Sequence, residues 1–78
     1  MSTPVLTVRG PIRLGQFLKL AGLVEDGAQA RAAVQGGDVS VNGEVETRRG
    51  HHLGDGDLVE VDRAQGGAAA RVHLMPDA

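Results

Sequence analysis

The apolar positions change period along the chain, and each change marks an element. Val5, Leu6 and Val8 around Thr7 read as a short strand that Gly10-Pro11 ends. From Leu14 the apolar residues recur as Leu14, Phe17, Leu18 and Ala21, one face of a helix entered after Pro11 and capped at Gly22. On that helix Arg13, Gln16 and Lys19 form a polar stripe turned away from the apolar face, so Phe17 packs inward while Arg13 and Lys19 point to water or a ligand. A second helix starts at Asp26, where Asp26 with Gln29 three residues on resembles a capping box. Gly27, Ala30, Ala33 and Val34 keep the helical spacing, and Gly36-Gly37 ends it. The small side chains let this helix approach the first closely, which predicts a helix–loop–helix pair with Arg31 on its flank.

Beyond Gly37 the period drops to two. Asp38-Val39-Ser40-Val41 is followed by Asn42-Gly43, a strong hairpin signal. A two-residue turn would pair Ser40 with Val45. A three-residue loop with Gly43 as a left-handed bulge residue would set Val39 opposite Val45 and keep the apolar residues on one face, and that register is the expected one. Gly54-Asp55-Gly56-Asp57 predicts another turn, and Leu58-Val59-Glu60-Val61 another strand. Gln65-Gly66-Gly67-Ala68-Ala69-Ala70 reads as a low-complexity, mobile connector or hairpin loop, with Arg71-Val72-His73-Leu74 returning beside residues 58–61. The expectation is a single domain over 1–78, with its motif core at about 12–61 and residues 63–78 as connector and possible C-terminal strand.

Composition narrows the function. Of 78 residues 41% are apolar, but Ala is a large share of them and Phe17 is the only aromatic. Readers that stack single-stranded bases need several exposed aromatic rings, so that class is excluded. With no Cys there is no disulfide framework, thiolate nucleophile or Cys-based zinc site, which fits a reducing cytoplasm. The start, Met1-Ser2-Thr3-Pro4, lacks the pattern of a secretory signal, and no apolar run has the length of a bilayer span. A cytoplasmic monomer without membrane contact is expected.

The net charge of −2 conceals an asymmetry. Residues 1–24 carry Arg9, Arg13 and Lys19 and no acid, while residues 47–52 bring Arg48, Arg49, His51 and His52. The acids gather in 25–46 and again at Asp55, Asp57, Glu60 and Asp62. One face is therefore basic on an acidic whole, provided segments 9–19 and 47–52 meet in space. Phosphate recognition requires such convergence, and Arg suits it because its planar fork donates two bonds.

Other chemistries find little support. Adjacent His51 and His52 on an extended segment point to opposite sides and have no third ligand at a recognisable spacing, so no metal site and no cofactor are expected. Gly36-Gly37 and Gly54-Asp55-Gly56 lack the context of a phosphate loop, and the acids fit no calcium loop. Ser2 and Ser40 have no nucleophile–base context, so the chain reads as not an enzyme.

Arg13-Leu14, Phe17-Leu18-Lys19, Gly22-Leu23, Ala30-Arg31 and Val39-Ser40-Val41-Asn42-Gly43, in this order and with a later Gly-Asp-Leu-Val-Glu-Val strand, resemble the RNA-binding domain of ribosomal protein S-four. The resemblance runs from about Ile12 to Val61. Gly27-Ala28-Gln29-Ala30-Arg31 and Val45-Glu46-Thr47-Arg48-Arg49 are more specifically similar to short stand-alone bacterial, YbcJ-like members. It implies an α+β, ribosomal protein S-four-like (alpha-L) fold, with a helix–loop–helix packed on a small, mostly antiparallel sheet. It also implies non-catalytic binding of structured RNA, ribosomal RNA or a ribosome-assembly intermediate, read by backbone and shape. Carried over by position, the RNA face comprises Arg13, Lys19, Arg31, Arg48 and Arg49, with His51 beside them. The alternative is a protein-interaction module of the same fold. Its RNA surface would be eroded at Asp26-Gly27, where many members have Ser-Arg, and at Asp38 and Ser40, where basic residues are frequent.

Overall fold

The computed structural model describes residues 3–62 and 67–75. Strand β1 (Val5–Arg9) leads to helix α1 (Leu14–Leu20) and helix α2 (Gly27–Gln35). Strands β2 (Val39–Val41), β3 (Glu44–Val45), β4 (Leu58–Val61) and β5 (Ala68–Met75) follow. They form one sheet in the order β1-β5-β4-β2-β3. Only the β1–β5 pairing is parallel, so the expected α+β fold with a mostly antiparallel sheet is what the chain adopts.

The helix pair forms where the apolar spacing places it. Leu14, Phe17 and Leu18 of α1 are buried and meet Ala30 and Val34 of α2 together with Val39, Val59, Val61, Ala70 and Val72 of the sheet. At the end of α1, Gly22 adopts φ +70°, a left-handed conformation that lets the chain reverse. The Leu18 carbonyl then accepts from the backbone N–H groups of both Leu23 and Val24, two buried residues that close the corner between the helices. Helix α2 starts as its composition predicts: Asp26 Oδ1 accepts from the Gln29 N–H at 2.8 Å, and Gln29 Oε1 accepts from the Glu25 N–H at 2.9 Å.

Two expectations are corrected. The β2–β3 hairpin uses the strict two-residue turn and not the bulge: Ser40 lies opposite Val45 and Val41 opposite Glu44. Asn42 at φ +53° and Gly43 at φ +86° supply the two left-handed residues that such a turn demands. The apolar argument for the bulge fails because β3 is a two-residue edge strand whose Val45 is 63% exposed, so no core burial acts on the register. Asn42 is held instead at the start of β4, donating from Nδ2 to Oδ1 of the preceding Asp57 and accepting the Leu58 N–H on its own Oδ1, both at 2.9 Å. Asn42→Ala removes both bonds and leaves a Cβ-bearing residue without local support at positive φ, so it should lower stability by about 1–3 kcal/mol, read from urea unfolding.

The second correction concerns the Gly/Ala stretch. Ala68–Ala70 belong to β5, paired in register with Val61 through Val59 of β4, and Ala70 is buried. Pairing to β4 along these three residues, continuous with the Arg71–Met75 stretch that also pairs with β1, outweighs the weak β preference of Ala. Residues 63–66 of the expected connector lie outside the described residues. Val72 is buried and Leu74 half-buried, as the expected docking of the last strand requires. Among the described residues no helix is long and apolar enough to cross a membrane.

Candidate nucleic-acid interface

The segment between β3 and β4 brings the distant basic residues together. The first N–H groups of α1 have no partners within their own helix, and backbone carbonyls of this segment satisfy them. Leu14 N–H donates to the His51 carbonyl at 2.8 Å and Gly15 N–H to the Arg49 carbonyl at 3.0 Å. Leu53 N–H donates back to the Ile12 carbonyl at 2.9 Å, and Arg13 and His52 form an isolated antiparallel bridge. Gly15 packs directly under this segment: a Cβ there would make ordinary van der Waals contact with Arg49 Cβ at 3.6 Å. Leu53 and Ile12 are both buried, anchoring the crossing to the core.

The result is a pair of open grooves sharing one wall. The first is lined by Arg13, Gln16, Lys19 and Arg49 over Gly15 and Gly27. The second is lined by Arg49 and Arg31 with Gly27, Ala28 and Gln35. Arg49 and Gly27 belong to both, so Arg49 links the α1 cations to Arg31 on α2. All four basic side chains are exposed. Among the described residues, the only ion pairs of the chain lie elsewhere, so none of the four is matched by a carboxylate within 4 Å. The absence of side chains at Gly15 and Gly27 leaves the floor of the first groove accessible to a bulky ligand.

Arg48 and His51 take a different place. Both converge on Glu46, whose side chain is only 14% exposed. Arg48 donates from Nε to Glu46 Oε2 and from a terminal guanidinium nitrogen to Oε1, each at 3.0 Å, and its backbone N–H also donates to Oε2. His51 Nδ1 lies 3.3 Å from Oε1. The Arg48 side-chain bonds, followed by its backbone N–H, pull the Glu46 carboxyl from its ordinary 4.5 down to about 2, and the same pair raises the Arg48 guanidinium. Glu46 is thus an anion throughout the physiological range, and it occupies the Nε edge of the Arg48 guanidinium, whose side chain remains 75% exposed. The tally of charge along the sequence counts Glu46 only as one acid among many. Its role was readable in the spacing Glu46-Thr47-Arg48, since residues two apart on an extended segment share a side.

Of the three family departures, Gly27 lines the basic grooves and Ser40 does not. Ser40 lies in a separate depression with Glu60, Asp62 and Ala69. Asp38 is exposed just beyond α2.

These elements, a helix–loop–helix with its basic flank backed by a five-stranded sheet, define the class. The S4 domain family model matches residues 7–72, and the chain belongs to that family. Its relatives include the Bacillus subtilis protein named "Probable ribosome maturation protein RlbA", 40% identical over 62 residues that cover 80% of this chain and 87% of that protein. The Escherichia coli protein named "Putative RNA-binding protein YbcJ" is 45% identical over 49 residues, covering 63% of this chain and 70% of its own.

Proposed function

We propose that this protein binds structured RNA without chemistry, holding phosphates along the paired grooves of Arg13, Lys19, Arg49 and Arg31. The target is ribosomal RNA or a ribosome-assembly intermediate. The observation that carries this reading is the convergence of four exposed cations, without a carboxylate partner among the described residues, from two helices and a loop onto adjoining grooves. The family match and the ribosome-maturation and RNA-binding names of two relatives support RNA as the ligand. The lack of any aromatic besides the buried Phe17 favours recognition of helical shape and backbone over stacking on splayed bases.

Three to four phosphate contacts give a slope of log affinity against log salt of roughly −3. Raising salt fourfold should then weaken binding by about sixtyfold by the same relation. Fluorescence anisotropy with fragments of ribosomal RNA between 50 and 200 mM salt, conditions chosen for this range, measures it. A flat salt response would overturn the proposal. In parallel, capture from cell extract should be lost on ribonuclease treatment and should track ribosomal particles in a gradient. Capture that survives ribonuclease would favour the protein-interaction module instead.

A further inference from the structure

We propose that Glu46 is a positioning residue of this RNA surface: through Arg48 and His51 it sets the turn that aims Arg49 into the grooves. The inference rests on the RNA-binding reading above. Three observations link the carboxylate to the groove. Glu46 is tied on both oxygens, to the Arg48 guanidinium, to the Arg48 backbone N–H and to His51 Nδ1. Arg48 and His51 are the two ends of one turn, closed by the His51 N–H donating to the Arg48 carbonyl at 3.2 Å. The carbonyls presented by that turn, from Arg49 and His51, are the acceptors for the first N–H groups of α1. Arg49 lies inside this double clamp, between the carboxylate on one side and the helix start on the other. The groove cation shared by both lining sets is therefore the one whose backbone Glu46 holds.

The geometry also assigns Arg48 a role distinct from that of its neighbour. A guanidinium bound by two parallel bonds to a carboxylate has that edge filled, and the pair presents little net charge to a polyanion. Arg48 and Arg49 are adjacent in the chain, but one fastens the turn and the other faces the ligand.

This makes a prediction whose sign opposes simple electrostatics. Glu46→Gln removes an acid and shifts the net charge from −2 to −1, which on charge alone should tighten RNA binding. Release of the turn should instead cost the Arg49 contact. At 0.1 M salt that is a loss of about eightfold in affinity, with the salt slope reduced by about one unit although every Lys and Arg is retained. Arg48→Lys keeps its charge but loses the two-pronged fork, and it should produce the same pair of changes. An RNA-independent readout accompanies both: amide exchange at Leu14 and Gly15 should accelerate, with Val59 and Val72 unchanged.

Weaker binding, a reduced slope and faster exchange at those two amides establish the positioning role. Equal or tighter binding by Glu46→Gln overturns it. If the unaltered protein binds no RNA, the proposed function fails, and exchange still decides the turn: unchanged protection of Leu14 and Gly15 in Glu46→Gln overturns the clamp.

Discussion

Replacing Arg13 and Arg49 together by Glu is expected to weaken RNA binding by more than about a hundredfold at 0.1 M salt while the far-ultraviolet circular dichroism stays native. Each cation that neutralises a phosphate in a duplex contributes about eightfold at that salt through counterion release, so two account for about sixtyfold. The introduced carboxylates add repulsion at the same places. The salt slope should fall by nearly two units, because it counts the contacts made and not the overall affinity. Both side chains are exposed and line the first groove, and neither contributes its side chain to the core, so the fold has no reason to fail. Arg9→Glu changes the net charge by two units against the four of the double variant, on β1 and outside both groove linings, and should alter affinity by less than about threefold because an exposed charge that makes no phosphate contact is screened by salt. Losses in proportion to the charge reversed, with Arg9→Glu showing half the loss in log affinity of the double variant, would mean that net charge governs binding and that the grooves have no special standing.

The contrast between Arg48 and Arg49 shows where reading a sequence reaches its limit. The helical periodicity of Leu14, Phe17, Leu18 and Ala21 already placed Arg13 and Lys19 on the outer stripe of α1, because helix geometry relates residues three and four apart without knowledge of the rest of the chain. The cap at Asp26 and the end at Gly36-Gly37 were legible for the same local reason. That the 48–53 segment meets the start of α1 is not local. It depends on carbonyls of an irregular loop satisfying helix N–H groups more than thirty residues away, and no periodicity marks such a bond. The allocation of Arg48 to Glu46 is nearer to hand but was obscured, because summing charges over segments treats an acid as a deduction when it is a partner. The hairpin register and the start of β5 failed for a shared reason. Both lie where the side chains are exposed or small, so the apolar pattern carries little information and backbone pairing decides.

Phe17→Ala should be the most damaging single substitution for the fold, and its effect joins core to interface. Phe17 is fully buried in α1 between the positions of Arg13 and Lys19, and it packs in the cluster that joins the helix pair to the sheet. Truncating a buried Phe costs about 3–5 kcal/mol, the lost transfer free energy plus the cavity left behind. A domain of this size has roughly 4–12 kcal/mol of total stability, so about a quarter or more of it disappears. The midpoint of thermal unfolding should fall by at least about 12 °C, given some 4 °C or more per kcal/mol for a chain this short. Ala is too small to refill the space, and the neighbours Leu14, Leu18 and Val34 are themselves fully buried with little freedom to collapse. Phe17→Leu retains most of the volume and should cost less than half as much. With α1 loosened, Arg13 and Lys19 lose their fixed separation from Arg49. Binding measured where the variant is still mostly folded should therefore weaken although no groove residue has changed. A midpoint shifted by less than about 5 °C would show that the helix pair does not depend on this ring for its packing against the sheet.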